Sequence, residues 1–90
     1  METPEESELA GTILVVEDSR VVRAKIQRML KSIGHTVLAA EDGHAGLAML
    51  RQHDVDLILL DIMMPDMSGF EVLEIIRRDK GLRHLPVIVV

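Results

Sequence analysis

Two apolar runs in this chain give out on acids. Thr12 to Val16, rich in β-branched residues, stops at Glu17-Asp18-Ser19, and Val55 to Leu60, apolar except for Asp56, stops at Asp61. If the runs are neighbouring strands, Glu17, Asp18 and Asp61 converge at one edge of a sheet. Their repulsion would then cost several kcal/mol unless a cation or a proton intervenes. Magnesium suits such a cluster, because it prefers oxygen ligands, keeps several waters and combines one or two carboxylates with a phosphoryl oxygen. The arrangement points to phosphate chemistry, with Asp61 as a candidate nucleophile that would form an aspartyl phosphate. The plainer reading is helix capping by Asp18 or Ser19, but capping does not call for three acids at two strand ends. Asp54, Asp56 and Asp66 are expected to flank the site in loop and turn roles.

The elements that must position these acids follow from periodicity. From Gly11 onward, short apolar runs alternate with helical-period segments, the pattern of βαβ units and a parallel sheet. The spacing predicts a strand over 12–16, buried on both faces. Val22, Ile26, Met29, Leu30 and Ile33 then mark one face of an amphipathic helix, with Lys31 in its last turn and Gly34 suited to a left-handed C′ residue. A second strand is expected over 36–40, then a weaker helix from Glu41-Asp42-Gly43 to about Gln52, weakened by Gly46. A third strand is expected over 55–60. Ser68-Gly69-Phe70-Glu71 reads as a capping box opening a helix with Val72, Leu73 and Ile76 inward and Gly81 at its end. Pro86 to Val90 completes the set as a fourth strand. In an open parallel sheet, ligands bind outside the carboxyl ends of the strands, where the strand order reverses.

Composition removes other classes. The 90 residues contain no cysteine and one aromatic, Phe70, so thiolate metal sites, thiol nucleophiles and aromatic stacking platforms are excluded. The net charge of −5 is concentrated in Glu2, Glu5, Glu6 and Glu8, and residues 11–90 carry 11 acids against 10 bases. Such a nearly neutral body lacks the charge of a nucleic-acid surface. No apolar run is long enough to cross a bilayer and no leader pattern opens the chain, so a soluble, cytoplasmic protein is expected, with residues 1–10 as a disordered acidic tail. His35, His44, His53 and His84 lack the spacing of a zinc site. Met63, Met64 and Met67 read as gap-fillers or partner contacts, and only the Met63 carbonyl suits a hard cation. Arg77, Arg78, Lys80 and Arg83 read as a solvated helix end.

Together, Ile13 to Ser19, Asp56 to Pro65 and Met67 to Glu71 resemble the receiver domain of bacterial two-component response regulators. An acidic pair after the first strand plus Asp-x-x-x-Pro-x-x-x-Gly after the third is a specific combination, and the resemblance covers Gly11 to Val90. It implies a flavodoxin-like, doubly wound parallel sheet with strand order 2-1-3-4 over the residues present. It further implies Asp61 as phosphoacceptor, and Mg2+ held by Asp18, Asp61 and the backbone carbonyl of Met63, with Glu17 acting through water. The implied phosphoryl donor is a phosphohistidine on a sensor histidine kinase or phosphotransfer protein. The implied role is a charge switch in a phosphorelay, not an enzyme turning over external substrate.

The family pattern continues past Val90 through a fourth helix, a fifth strand and a fifth helix. The resemblance places the switch Ser/Thr just after Val90 and the phosphate-binding lysine after the fifth strand. The receiver is therefore expected to be truncated after its fourth strand, with an apolar edge that favours a homodimer through strand pairing or swapping. Two rivals come from other classes. A haloacid-dehalogenase-like phosphohydrolase would place a second aspartate two residues after Asp61, where this chain has Met63; an inactive interaction module would carry the acids without chemistry.

Overall fold

The computed structural model describes residues 10–90, so the expected tail over 1–10 lies outside the described residues apart from Ala10. The order is β1 (Thr12–Val16), α1 (Arg20–Ser32), β2 (Thr36–Ala40), α2 (Gly43–Gln52), β3 (Leu57–Leu60), α3 (Gly69–Arg78) and β4 (Val87–Val89). The four strands form one parallel sheet in the order β2-β1-β3-β4, so the first and third strands are neighbours, as the acid cluster requires. Register is continuous, with Ile13 opposite Leu57 and Val16 opposite Leu60.

Alternation along the central strands divides the sheet into two faces. Leu14, Val16, Ile58 and Leu60 are buried together with Leu47 and Leu50 of α2 and Val72 and Ile76 of α3, and this layer is the hydrophobic core. Each such side chain contributes about 1.5–3 kcal/mol by leaving water. Gly46 lies against the Val16 side chain, where a Cβ would come within 2.8 Å of Cγ2, so its weak helix propensity allows α2 to approach β1 closely.

The opposite face carries α1. The amphipathic helix forms where the spacing predicts, but no residue of α1 is buried, and Ile33 just beyond it is 66% exposed. A single helix on a sheet face has no helical neighbour to cover its flanks. Its ends nevertheless follow the sequence signals. Ser19, not Asp18, is the N-cap, accepting from Val22 N–H. At the other end Gly34 adopts φ 99°, with Gly34 N–H donating to Lys31 O and His35 N–H to Leu30 O, the paired bonds of a Schellman motif.

Three boundaries differ from expectation. β3 begins at Leu57, not Val55, because Asp56 acts as a clasp: its N–H donates to Thr12 O and its Oδ2 accepts from Thr12 N–H at 2.8 Å. α3 ends at Arg78, before Gly81, because the Asp79 carboxylate accepts from Gly81 N–H and turns the chain out of the helix. β4 is shorter than 86–90, although Pro86 O and Val90 N–H still pair with β3.

Candidate metal and phosphoacceptor site

The site is built by carrying the β1–β3 register one residue further. Asp61 N–H donates to Val16 O and Glu17 N–H to Ala40 O, so both acids leave the sheet at its carboxyl edge with their backbones still tied to neighbouring strands. The Ser19 cap then turns the chain into α1 and keeps Asp18 beside them. Carboxylate oxygens of Glu17, Asp18 and Asp61 lie within 4.8 Å of one another. At that separation each ionised pair repels by about 1–4 kcal/mol, depending on solvent access.

The three acids differ in environment. Glu17 is buried at 8% exposure, Asp61 is half-buried and Asp18 is exposed. Burial is the largest influence on Glu17 and pushes its carboxyl above the ordinary glutamate value. The Ser19 N–H bond to Oε1, at 3.1 Å, opposes that rise, and the Asp61 and Asp18 charges add to it.

The Asp61 carboxylate is oriented by its own loop. Met63 N–H donates to Oδ1 at 3.0 Å, and the Met63 side chain points to solvent at 80% exposure. Gly69 closes the loop from behind, its N–H donating to Ile62 O. A Cβ on Gly69 would stand 2.5 Å from Asp61 O and 2.7 Å from Ile62 Cα, both backbone atoms. The proline-glycine spacing therefore has a steric cause: α3 starts in contact with the backbone that carries Asp61. Ser68 caps that helix by accepting from Glu71 N–H.

Asp54 and Asp56 do not flank the site. They precede β3, whereas Asp61 follows it, so they lie at the opposite end of the sheet. There Asp56 clasps Thr12, and Asp54 borders a cavity of about 330 Å3 lined also by Leu50, His53, Val55, Leu82 and His84. Asp66 is exposed in the loop after Pro65. His35 accepts from Gly11 N–H through Nδ1. Arg77 is exposed at the end of α3, and it also ties the following turn by donating to the carbonyls of Arg83 and Leu85.

One contact at the site escapes the sequence patterns. Arg23 Nη1 donates to Glu17 O at 2.7 Å and to Asp18 O at 3.4 Å. Hydrophobic periodicity is silent about it, since Arg23 lies off the apolar stripe.

Fold and site define a doubly wound parallel α/β domain with an acidic crevice at the carboxyl ends of its two central strands. The family model of the response regulator receiver domain matches residues 13–90, and the chain belongs to that family. It is 41% identical over 78 residues to protein PilH of Pseudomonas aeruginosa, covering 87% of this chain and 64% of PilH. Its fold superposes at TM-score 0.86 on the N-terminal domain of a response regulator receiver protein from Methanoculleus marisnigri, with 40% identity, covering 88% of this chain and 64% of that one. Response regulator TrrA of Thermotoga maritima, solved in complex with Mg2+-BeF, superposes at TM-score 0.81 with 34% identity, covering 88% and 67%. The chain thus spans just under two thirds of the length of PilH and of the Methanoculleus structure. Among the described residues no helix is long and apolar enough to cross a membrane.

Proposed function

We propose that this chain is the phosphoacceptor part of a two-component phosphorelay, with Asp61 receiving a phosphoryl group from a phosphohistidine on a sensor histidine kinase or phosphotransfer protein in the cytoplasm. The observation that carries this reading is the convergence of Glu17, Asp18 and Asp61, acids from two strand ends, within 4.8 Å. Their oxygens, with the Met63 carbonyl, form the hard donor set that a magnesium ion prefers. Asp18, Asp61 and the Met63 carbonyl would hold Mg2+ directly and Glu17 through water. Bound there, Mg2+ would neutralise charge on the carboxylates and on the incoming phosphoryl oxygens.

The chain's own groups account for the rest. Met63 N–H fixes the rotation of the Asp61 carboxylate, and the strand ladder fixes its height above the sheet. In the transfer, a carboxylate oxygen of Asp61 forms a bond to phosphorus as the donor's P–N bond breaks, and the released imidazole nitrogen takes up a proton. The charge added to Asp61 is the signal. Turnover of an external substrate is not part of this reading, because Met63 stands where a hydrolase of the rival class needs its second aspartate.

Incubation with acetyl phosphate and Mg2+, followed by mass measurement, tests the proposal. One added phosphoryl group, absent in Asp61→Asn, is the expected result. Sustained release of phosphate from a small substrate, or no adduct on the wild-type chain, would overturn it. The apolar outer edge of β4, with Ile88 49% and Val90 63% exposed, supports self-association through strand pairing, and a mass that rises with concentration in light scattering is the corresponding expectation.

A further inference from the structure

Arg23 is the fourth residue of α1, and its contacts run backwards. Its backbone N–H donates to Ser19 O at 2.9 Å, while its guanidinium passes over the cap to the carbonyls of Glu17 and Asp18. Helical side chains lean toward the N-terminus, which gives a long side chain at this position that reach. Beyond Val16 the β1 strand has ended, and the guanidinium supplies the Glu17 carbonyl with a donor where the chain bends into the helix. Ser19 N–H meets Glu17 Oε1, and Val22 N–H meets Ser19 Oγ. The segment 17–19 is therefore gripped through backbone and side chain alike.

A second observation speaks against helix stabilisation as the role of this arginine. α1 opens with Arg20 and has Arg23 close behind, with no acid in its first turn, the reverse of what the helix dipole favours. Stabilising α1 alone would call for acids at these positions.

We propose that Arg23 is a positioning residue for the cation site: it fixes the backbone on which Glu17 and Asp18 are mounted, and so sets where their carboxylates stand relative to Asp61. The inference rests on the reading of these acids as a Mg2+ site, and its sign separates it from simple electrostatics. A positive charge near a cation site repels the cation, so neutralising Arg23 would tighten Mg2+ binding if charge alone mattered. Loss of positioning weakens it.

The test is calorimetric titration of Mg2+ into the wild-type chain, Arg23→Ala, Arg23→Lys and the charge-matched control Arg20→Ala, each first shown to be folded by circular dichroism. Arg23→Ala is expected to bind Mg2+ about tenfold or more weakly, in the range found when partners behind metal ligands are removed. Arg23→Lys should recover part of the loss, and Arg20→Ala should bind as tightly as wild type or tighter. Phosphorylation of Arg23→Ala by acetyl phosphate should approach the wild-type extent once Mg2+ is saturating, which a general folding defect would not allow. Equal or tighter Mg2+ binding by Arg23→Ala overturns the positioning role while leaving the site reading intact; no Mg2+ binding by the wild-type chain overturns the site reading itself. If Arg23→Ala does not fold, Arg23→Met, which keeps the apolar stem, carries the same measurement.

Discussion

Gly69→Ala probes the loop behind the phosphoacceptor with a single methyl group. The new Cβ would come within 2.5 Å of Asp61 O, 2.7 Å of Ile62 Cα and 3.0 Å of Asp61 C, and none of these backbone atoms belongs to a side chain that could swing aside. Relief requires α3 and the Asp61–Ile62 segment to separate, which also stretches the bond from Gly69 N–H to Ile62 O, now 3.0 Å. Overpacking of this kind costs about 1–3 kcal/mol, and the weakened hydrogen bond adds about 1 kcal/mol. The sum of about 2–4 kcal/mol corresponds to a fall in Tm of roughly 10–30 °C for a domain of this size. The displaced backbone carries Asp61, so Mg2+ affinity should drop with it, by about tenfold or more. Thermal unfolding by far-ultraviolet circular dichroism and calorimetric Mg2+ titration measure the two effects. Gly34→Ala is the control: its φ of 99° makes alanine cost about 1–2 kcal/mol, but nothing lies within 4 Å of the added Cβ and the site is far away. A Gly69→Ala chain with Tm within about 3 °C of wild type and unchanged Mg2+ affinity would refute the steric reasoning.

Other expectations follow from the same geometry. Because the raised Glu17 carboxyl holds its proton more tightly folded than unfolded, its contribution to stability is lost as pH rises from the ordinary glutamate range through the folded value. Glu17→Gln should therefore raise Tm at neutral pH without metal and flatten that part of the pH profile; an unchanged profile in calorimetry with EDTA present would contradict it. Ser19→Ala removes the α1 cap and should cost about 1 kcal/mol, seen as a Tm loss of about 4–8 °C by thermal melt. Ile88→Lys puts a charge on exposed apolar surface of β4 and should abolish the rise of mass with concentration that the proposed self-association predicts for the wild-type chain in light scattering.

Much of the fold was legible because its signals are local. β1 and β2 match their apolar runs residue for residue, and Ser19, Gly34 and Ser68 play the cap roles their types advertise. The acid cluster was legible because it needs only two strand ends and the order of a parallel sheet. What was misread depends on partners distant in sequence. Asp56 looks like part of a strand until Thr12 takes both its N–H and its carboxylate into a clasp. The extent to which α1 is covered lies outside what its stripe can say, since a stripe gives the apolar face and not how much of the sheet is there to meet it. Asp54 and Asp56 precede β3, so the chain direction alone puts them at the far end of that strand from the site. Arg23 was invisible for a different reason, because its partners are carbonyl oxygens that every residue possesses.

The β1–β3 pairing runs at a constant offset of 44 residues, from the Thr12–Asp56 clasp through Ile13–Leu57 to Val16–Leu60. Parallel partners this far apart form slowly, because a long crossover must be closed before any ladder bond compensates the lost chain entropy. The acid cluster is the last rung of that ladder, so its geometry exists only in molecules that have finished the hardest step of folding. A one-residue slip would turn Asp61 toward the other face and dismantle the cluster while leaving every helix intact. Cation binding at this edge would thus report completed, in-register chain assembly, and an ion held only by the folded state would stabilise that assembly by mass action.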